Sequence, residues 1–281
     1  MAPERLVEGV ALRCSALGES DRLLTLLSEE EGLIRVAVPG ARKPRSRLAA
    51  ALPMAHLRLQ VGGRGLPRVR QFTLLRSFGG LGQRLETLAA AQSLAELCLR
   101  LVPNGVPSPG WPAVVLAHLG RLEEVVEEAS ERVEALAIAV QGGAHLLALG
   151  GYALPLGQCA RTGVPLDPPL GDGRWRCSLL PGEGLAVGAM PGAAVVLNAS
   201  ELALLQRLHR PALPRARSGV LLGPEQVWLH LLAVLESWCD QHLGRRPRAF
   251  RLLRASAEAM PQPRSDPRSD PRSGPRFASE G

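Results

Sequence analysis

This chain of 281 residues has few aromatic side chains and almost no lysine. Aromatic residues make up 3% of it, and Lys43 is the only lysine, so arginine supplies nearly all of the positive charge. Phe72 and Phe78 are the only aromatic residues among the first eighty. This scarcity excludes an extensive aromatic stacking surface in the amino-terminal part of the chain.

Cysteine is also scarce, and its spacing excludes a disulfide framework. The five cysteines are an odd number scattered along the chain: Cys14, Cys98, Cys159, Cys177 and Cys239. Disulfide-stapled domains usually carry even numbers at regular spacings. No apolar run approaches the roughly 18 residues that span a bilayer, and the early Glu4 and Glu8 are not typical of a signal peptide. We therefore expect a protein of the reducing cytoplasm.

Acidic residues are missing from one long stretch. Residues 32–85 contain eleven basic side chains and no Asp or Glu, whereas residues 86–158 contain eight glutamates and three arginines. The whole chain carries a net charge of +7. This asymmetry predicts a polyanionic partner for the first part, either a nucleic acid or an anionic membrane surface.

The same amino-terminal part reads as short β-strands. Val10, Leu12 and Cys14 alternate with Ala11 and Arg13, which predicts a strand with the first three on one face. Further strand-like runs follow, at residues 23–27, 33–38, 56–61 and 69–75, and the turn VGGRGLP joins the last two as a hairpin. Five short strands predict a small closed or partly closed barrel, because closure removes exposed edges.

Helical periodicity replaces the strands after Phe78. The sequence predicts helices at about residues 83–102, from about Trp111, and at 130–149, 199–209 and 225–243. Gly142 and Gly143 lie inside the third of these, which indicates close helix packing there. The repeat PRSDPRSDPRSGPR near the carboxyl terminus predicts a disordered tail.

The first basic cluster, GARKPRSRL, places four cations around a helix-breaking proline. Following the predicted strand GLIRVAV, Arg42, Lys43, Arg45 and Arg47 would lie on a loop at the rim of the barrel. A solvated connector would gain equal solubility from mixed charges. The acid-free surroundings therefore favour phosphate binding. With so few aromatic side chains nearby, contacts with a phosphate backbone would dominate, which predicts weak sequence preference and strong salt dependence.

No catalytic or cofactor motif is present. The six histidines form no HExxH pattern, and the chain lacks GxSxG, P-loop and Rossmann fingerprints in a suitable setting. His145 and His230 are typical of satisfied core or flank histidines. Cys159 is followed at the CxxC position by Thr162, and Cys177 has no partner two or three residues away, so structural cysteines are a better interpretation than zinc ligands. We predict no enzyme activity, no metal and no cofactor.

A second basic group, GRRPRAFRLLR, closes the last predicted helical segment. Its cations are Arg245, Arg246, Arg248, Arg251 and Arg254. Two interpretations are open: the group extends the anion-binding surface, or it caps the carboxyl ends of helices.

Four segments in order resemble the RecO family of bacterial recombination mediators. They are LGESDRLLTLLSEEEGLIRVAVPGARKPRSRLAAAL with the hairpin ending LLRSF, then HLLALGGYALPLGQC, and finally HLGRRPRAFRLL. The resemblance spans residues 5–254 and implies an α+β fold, with an amino-terminal OB-type β-barrel followed by an α-helical domain that contains a degenerate zinc-finger-like insertion.

The resemblance also implies domain boundaries and site residues. The expected units are an OB-fold DNA-binding domain at 1–80, a helical domain at 81–156 and 196–256, the insertion at 157–195 and the tail at 257–281. Arg42, Lys43, Arg45 and Arg47 fall on the family's basic loop and would contact DNA, and charge alone adds Arg35. Many family members have two CxxC pairs, of which this chain keeps only Cys159. We expect an insertion without zinc, held by Trp175, Leu179 and Leu180.

By resemblance, the function is that of a DNA-binding recombination mediator. Family members bind single- and double-stranded DNA, anneal complementary strands, bind the carboxyl-terminal tail of single-stranded DNA-binding protein (SSB), and with RecR help to load RecA. This places the protein in the cytoplasm with the nucleoid and predicts no membrane partner. The groove for the SSB tail is not located by any motif. Two alternatives are an OB-fold RNA-binding module and a nuclease or phosphotransfer enzyme, the latter disfavoured because the basic stretch lacks metal-binding carboxylates.

Overall fold

The first five strands of the computed structural model, which describes residues 4–258, close into a barrel. They are β1 (Arg5–Leu17), β2 (Asp21–Ser28), β3 (Gly32–Val38), β4 (Ala55–Gly62) and β5 (Arg68–Ser77). Their order is β1-β2-β3-β5-β4, and β4 returns to pair with β1. Neighbours are antiparallel except β3 and β5, which meet in parallel at Ala37 and Arg68. This five-stranded barrel is an OB fold, which confirms the predicted barrel and its β4–β5 hairpin.

Strand β1 is buried on both faces, which the predicted alternation missed. Ala11 packs into the barrel interior with Cys14 against it, whereas Val10 and Leu12 pack against the helices. The assignment of Val10, Leu12 and Cys14 to a single face is therefore wrong. The reason is a bulge between Ala11 and Arg13 in the pairing with β2, which shifts the alternation by one residue.

Within residues 4–258, six α-helices follow the barrel. They are α1 (Leu85–Leu101), α2 (Trp111–Glu127), α3 (Arg132–Leu149), α4 (Ala199–Arg207), α5 (Glu225–Leu243) and α6 (Arg248–Glu258). The first five confirm the helices predicted from periodicity. Helix α6 was missed, although Phe250, Leu253 and Ala257 are buried at the spacing of one helix face. The arginines between these apolar residues hide the helical pattern, so that the segment reads only as a basic group.

A small sheet lies between α3 and α4. Its strands are β6 (Cys177–Leu180), β7 (Gly184–Val187) and β8 (Val195–Leu197), in the order β7-β6-β8. Strands of three or four residues are too short to give a clear periodicity. Leu179 and Leu180 are buried in the core and Trp175 packs against it, as expected for the insertion. The predicted tail lies almost entirely outside the described residues.

Helix α3 is the centre of the helical core. Among the residues that the structure describes, it is the one helix long and apolar enough to cross a membrane, but 61% of it is buried inside the protein. It packs against α1, α2 and α5. This environment is typical of a core helix, and it explains why the sequence of α3 is apolar nearly all round.

Gly142 lets these helices approach closely, as predicted. A Cβ atom at this position would lie 2.6 Å from Leu94 Cδ2 on α1 and 3.1 Å from the ring of His118 on α2. Both distances are shorter than ordinary van der Waals contact, so a side chain here would push two helices apart.

We expect Gly142→Ala to lower the free energy of unfolding by about 1 to 2 kcal/mol, because overpacking exceeds the roughly 1 kcal/mol that alanine gains in helix propensity. Gly120→Ala on α2 is a matched control, since its Cβ would meet only the Arg76 guanidinium at 3.8 Å. The control should be neutral or stabilising in urea unfolding. Equal effects of the two substitutions would contradict close packing at Gly142.

Candidate functional site

The loop at residues 39–54 connects β3 to β4 and carries the first basic cluster. Gly40 begins it in a left-handed conformation (φ +62°), which glycine adopts without strain. A short 3₁₀ turn at Arg47–Ala50 follows, with the Ser46 side chain accepting a hydrogen bond from the Leu48 amide. Leu48 packs against the barrel core and Ala51 is fully buried. The loop is therefore pinned to the barrel at both ends.

The carboxylate of Asp21 anchors the beginning of this loop. Its Oδ1 accepts hydrogen bonds from the Gly40 amide at 2.8 Å and from the Ser20 hydroxyl at 2.9 Å. Its Oδ2 accepts from the Arg68 guanidinium at 3.1 Å. The hydrogen bond from the Gly40 amide is the main cause that lowers the pKa of Asp21, and the hydrogen bond from the Ser20 hydroxyl is the next. One ionised carboxylate thus joins the loop to β2 and β5 at neutral pH.

All five predicted DNA-contact residues are exposed. Arg35 lies on β3, and Arg42, Lys43, Arg45 and Arg47 lie on the loop. None of the five has a carboxylate within salt-bridge distance anywhere in residues 4–258. Arg42 donates instead to the Gly18 carbonyl at 2.9 Å, and its amide donates to Ser20, which fixes it beside the β1–β2 turn. The positive charge of these five side chains is therefore available to bind an anion.

Arg45 occupies a left-handed backbone conformation, with φ +60°. This region costs a residue with a side chain roughly 1 to 2 kcal/mol, and such strain is often found at functional sites. Glycine would relieve it. A long cationic side chain at this strained position is consistent with a role in ligand binding.

The remaining arginines of the acid-free stretch are mostly ion-paired, which corrects the expectation of a face without negative side chains. Their partners come from outside that stretch: Arg58 with Glu8, Arg68 with Asp21, Arg70 with Glu4, Arg76 with Glu123 and Arg84 with Glu86. Five of the eleven basic residues are neutralised in this way. The uncompensated charge is concentrated on the loop and on the neighbouring strand β3.

Two further unpaired arginines were not among the predicted site residues. Arg13 on β1 lies opposite Thr25 on β2, which in turn lies opposite Arg35 on β3, so the three form a row across the outside of the sheet. Arg64 is exposed on the β4–β5 turn. The Ala37 amide of β3 donates a hydrogen bond to the Pro67 carbonyl, which joins this turn to β3. The alternation of β1 already placed Arg13 opposite its apolar residues, but Arg13 lies outside the acid-free stretch from which the site was predicted.

The two aromatic residues of the barrel contribute little stacking surface. Phe78 is buried in the helical core, with the Arg76 guanidinium 4.8 Å above its ring, and Phe72 is half-buried against the barrel core. Neither presents an open ring face beside the loop. This arrangement favours contacts with phosphates over base stacking.

An apolar groove of about 700 Å³ lies on the helical part of the molecule. Small side chains of α2 and α3 form its walls, among them Ala117, Ala144 and Ala148, and Leu154 and Leu205 line it further along. Alanines at these positions leave room for larger apolar side chains of a partner.

The polar end of the groove is formed by His118, His145 and Arg121. His145 Nε2 donates to the Leu208 carbonyl at 2.7 Å, so its Nδ1 accepts from His118 Nε2 at 3.1 Å. The pKa of His118 is lowered to about 3, chiefly because the ring is buried and secondly because the His145 ring is close to it. Arg121 donates to Gln141 and to the Pro211 carbonyl and has no acidic partner among the described residues. The groove therefore pairs apolar walls with an uncompensated positive charge.

His145 and His230 both have hydrogen-bond partners, as predicted. His145 makes the two bonds just described, and His230 Nδ1 lies 2.9 Å from a carboxylate oxygen of Glu201.

The cysteines of the insertion do not fit a structural zinc. Cys159 Sγ accepts a hydrogen bond from the Val187 amide at 3.4 Å. Hydrogen bonding from Thr162, which occupies the second CxxC position, lowers the pKa of Cys159 to about 7. Zinc needs four cysteine or histidine ligands, and no three potential metal ligands converge within residues 4–258. That the insertion holds no metal stays a prediction.

These features define an OB-fold protein with a cationic loop and a helical domain that bears an apolar groove. Two family profiles match the chain: "Recombination protein O N terminal" over residues 1–78 and "Recombination protein O C terminal" over residues 82–250. The chain belongs to the RecO family of DNA repair proteins.

Curated relatives named "DNA repair protein RecO" agree with the family profiles. The protein of Synechococcus sp. (strain WH7803) is 57% identical over 263 residues, which cover 93% of this chain and 97% of the relative. That of Prochlorococcus marinus (strain MIT 9303) is 57% identical over 256 residues, 90% and 96% of the two chains. That of Trichodesmium erythraeum (strain IMS101) is 32% identical over 267 residues, which cover 87% of this chain and 92% of the relative. The resemblance seen in the sequence is confirmed.

We expect Asp21→Ala to release the basic loop, because the Gly40 amide and the Arg68 guanidinium lose their shared acceptor. Trypsin should then cleave after Arg42, Arg45 and Arg47 several-fold faster. Glu19→Ala removes the same charge from an exposed neighbour that forms no hydrogen bond or ion pair within residues 4–258, so its cleavage should match the wild type. Equal cleavage of both variants would show that Asp21 is not the anchor.

Proposed function

We propose that this protein is a non-enzymatic recombination mediator that binds single- and double-stranded DNA through the cations of its barrel. The observation that carries this proposal is the partition of charge. Five basic side chains of the acid-free stretch are neutralised by carboxylates, while the exposed loop cations and Arg35 have no acidic partner within residues 4–258. A surface that served only solubility would have no reason to keep its unpaired cations together.

The chemistry of the site supports contacts with the phosphate backbone. Arginine guanidinium groups bind phosphate oxygens bidentately, and the exposed loop can approach a strand without opening the barrel. Such contacts fix a strand in place without reading its sequence. Binding should therefore tolerate different sequences and fall steeply with salt.

In this proposal, strand annealing follows from holding a backbone in this way. A strand bound through its phosphates keeps its bases free to pair with a complementary strand. In this proposal the protein acts with RecR to replace SSB by RecA, in the cytoplasm with the nucleoid. Nothing in the described residues resembles a nucleolytic site, since the basic loop lacks the carboxylates that hold divalent metals.

We assign the SSB tail to the apolar groove between α2 and α3. The alanine-lined walls fit a short peptide with bulky apolar side chains, and Arg121 at the polar end fits a carboxylate. Arg207 and Arg210 lie exposed in the adjacent segment and add positive charge without acidic partners in the part of the chain that the structure describes. Apolar contact and charge together would select an acidic peptide tail.

Replacing Arg42, Lys43, Arg45 and Arg47 by Ala should weaken DNA binding uniformly across sequences. The slope of log affinity against log salt should fall by about 0.7 for each phosphate of a single strand that the variant no longer binds. Fluorescence anisotropy with labelled oligonucleotides measures both quantities, and annealing of complementary SSB-coated strands should slow in parallel.

The matched control replaces Arg5, Arg58, Arg70 and Arg76, which are all ion-paired on the barrel surface. It removes the same formal charge and should change the slope much less. Equal losses in the two variants would indicate that net charge, and not the loop, controls binding. RNA that competes better than single-stranded DNA of the same length would favour an RNA-binding module.

Ala148→Trp should block peptide binding at the groove without changing DNA affinity, because the indole fills space between the apolar walls. Titration of a fluorescent SSB-tail peptide should show at least a tenfold loss of affinity. Ala255→Trp, at an exposed site on α6 away from the groove lining, is the control. Undiminished binding to the Ala148→Trp protein would place the tail elsewhere.

A further inference from the structure

The junction between α5 and α6 is a second cationic surface, and helix α1 holds it in place. Helix α5 ends at Gly244, whose left-handed conformation (φ +73°) turns the chain. The Arg100 guanidinium on α1 donates to the carbonyls of Arg245 and Arg246 at 2.7 and 3.1 Å. One turn earlier, Glu96 accepts from the Ala249 amide at 2.7 Å. The basic segment is thus fixed by its backbone, which leaves its side chains free.

The acidic residues around this junction are already neutralised by other arginines. Arg246 pairs with Asp240 at 3.1 Å, Arg254 pairs with Glu236 at 2.6 Å, and Arg100 pairs with Glu96. The remaining cations are Arg245, Arg248 and Arg251. All three are exposed and have no acidic partner within residues 4–258.

These remaining cations are arranged to meet an extended anion. Arg248 and Arg251 are three residues apart on α6, so they share one helix face with Cβ atoms about 5 to 6 Å apart. Within residues 4–258, none of the five guanidinium groups in this basic segment donates to the last carbonyls of α5. These guanidinium groups therefore do not cap α5 by hydrogen bonding.

A groove of about 430 Å³ lies between the barrel and helix α1, the helix that holds the junction. Arg13 and Cys14 of β1 line one side of it, and Ala95, Glu96 and Leu99 of α1 line the other. Arg13 belongs to the cationic row that ends at Arg35, and Glu96 contacts the first turn of α6. Helix α1, which is about 10 Å across, therefore contacts both the barrel strand that carries Arg13 and the junction.

We propose that the α5–α6 junction is a second phosphate-binding site, and that a nucleic-acid strand bound on the barrel continues over α1 onto Arg245, Arg248 and Arg251. This inference rests on the proposed DNA-binding function. It lengthens the site beyond a single OB fold, which gives an annealing protein a longer hold on one strand.

A membrane surface is the less suitable partner for this basic helix. An amphipathic helix binds a bilayer by inserting its apolar face. Here Phe250, Leu253 and Ala257 are buried against the other helices, so α6 has no free apolar face to insert among its described residues. An elongated polyanion, in contrast, can bind to the exposed cations of α6 without an apolar face.

The test compares an Arg248→Ala, Arg251→Ala double variant with the wild type on single-stranded oligonucleotides of two lengths. One is about 10 nucleotides, within the site size of one OB fold, and the other is about 30. For the longer strand, the double variant should lose several-fold affinity, and the slope of log affinity against log salt should fall by about 1.4, or 0.7 for each of two phosphates. The shorter strand should bind as it does to the wild type.

The matched control is Arg217→Glu, which changes the net charge by the same two units as the double variant. Arg217 is also exposed and has no ion-pair partner within residues 4–258. It precedes the amino-terminal end of α5, a helix of 19 residues that extends about 28 Å to the junction. This control should bind both strands like the wild type.

Unchanged affinity and slope for the longer strand would overturn the second site. An equal loss in the control would do the same, because it would reflect net charge alone. If the wild type bound no DNA at low salt, the proposed function would fail together with this inference. If substitution of the loop cations weakened binding but the junction variant did not, only the second site would fail.

Discussion

The carboxylate of Asp21 makes the interaction on which the proposed DNA-binding surface depends. It joins the start of the basic loop, the β1–β2 turn and β5 through bonds to the Gly40 amide, the Ser20 hydroxyl and the Arg68 guanidinium. The four loop cations lie within six consecutive positions of the chain, so they repel each other. Holding them together before a ligand arrives requires an anchor at the base of the loop and a buried attachment at its far end, where Ala51 enters the core. A pre-ordered loop loses less conformational freedom on binding than a mobile one.

Charge compensation then separates the structural arginines from those available to a ligand. Arg58 and Arg76 find carboxylates on other parts of the chain, and these pairs tie strands to each other and the barrel to α2. Exposed pairs of this kind contribute little stability, but they cancel charge that would otherwise attract a polyanion. Among the unpaired cations are those of the loop, of the outer row of the barrel and of the α5–α6 junction. Since Phe78 is buried, this distribution favours affinity for phosphates over recognition of bases.

Much of this fold could be predicted from the sequence because it depends on local patterns. The barrel strands, the first five helices and the close approach at Gly142 all follow from periodicity and glycine placement. The ion pairs could not be predicted, because Arg58 and Arg76 meet partners about fifty residues away in the chain. Arg13 was missed because it lies outside the acid-free stretch, and only the strand pairing places it in one row with Arg35. The apolar groove was not located because its walls come from α2, α3 and the segment around Leu154, and no single stretch of sequence carries it.

Binding to strands with altered chemistry tests the central claim most directly, namely that the barrel holds nucleic acid by its phosphates. An abasic strand keeps the sugar–phosphate chain and lacks bases, whereas a methylphosphonate strand keeps the bases and lacks charge. Anisotropy titrations at low salt should give the abasic strand an affinity within a few-fold of ordinary single-stranded DNA, and should give the methylphosphonate strand little or none. Tight binding of the uncharged strand, together with loss of binding to the abasic one, would contradict the account.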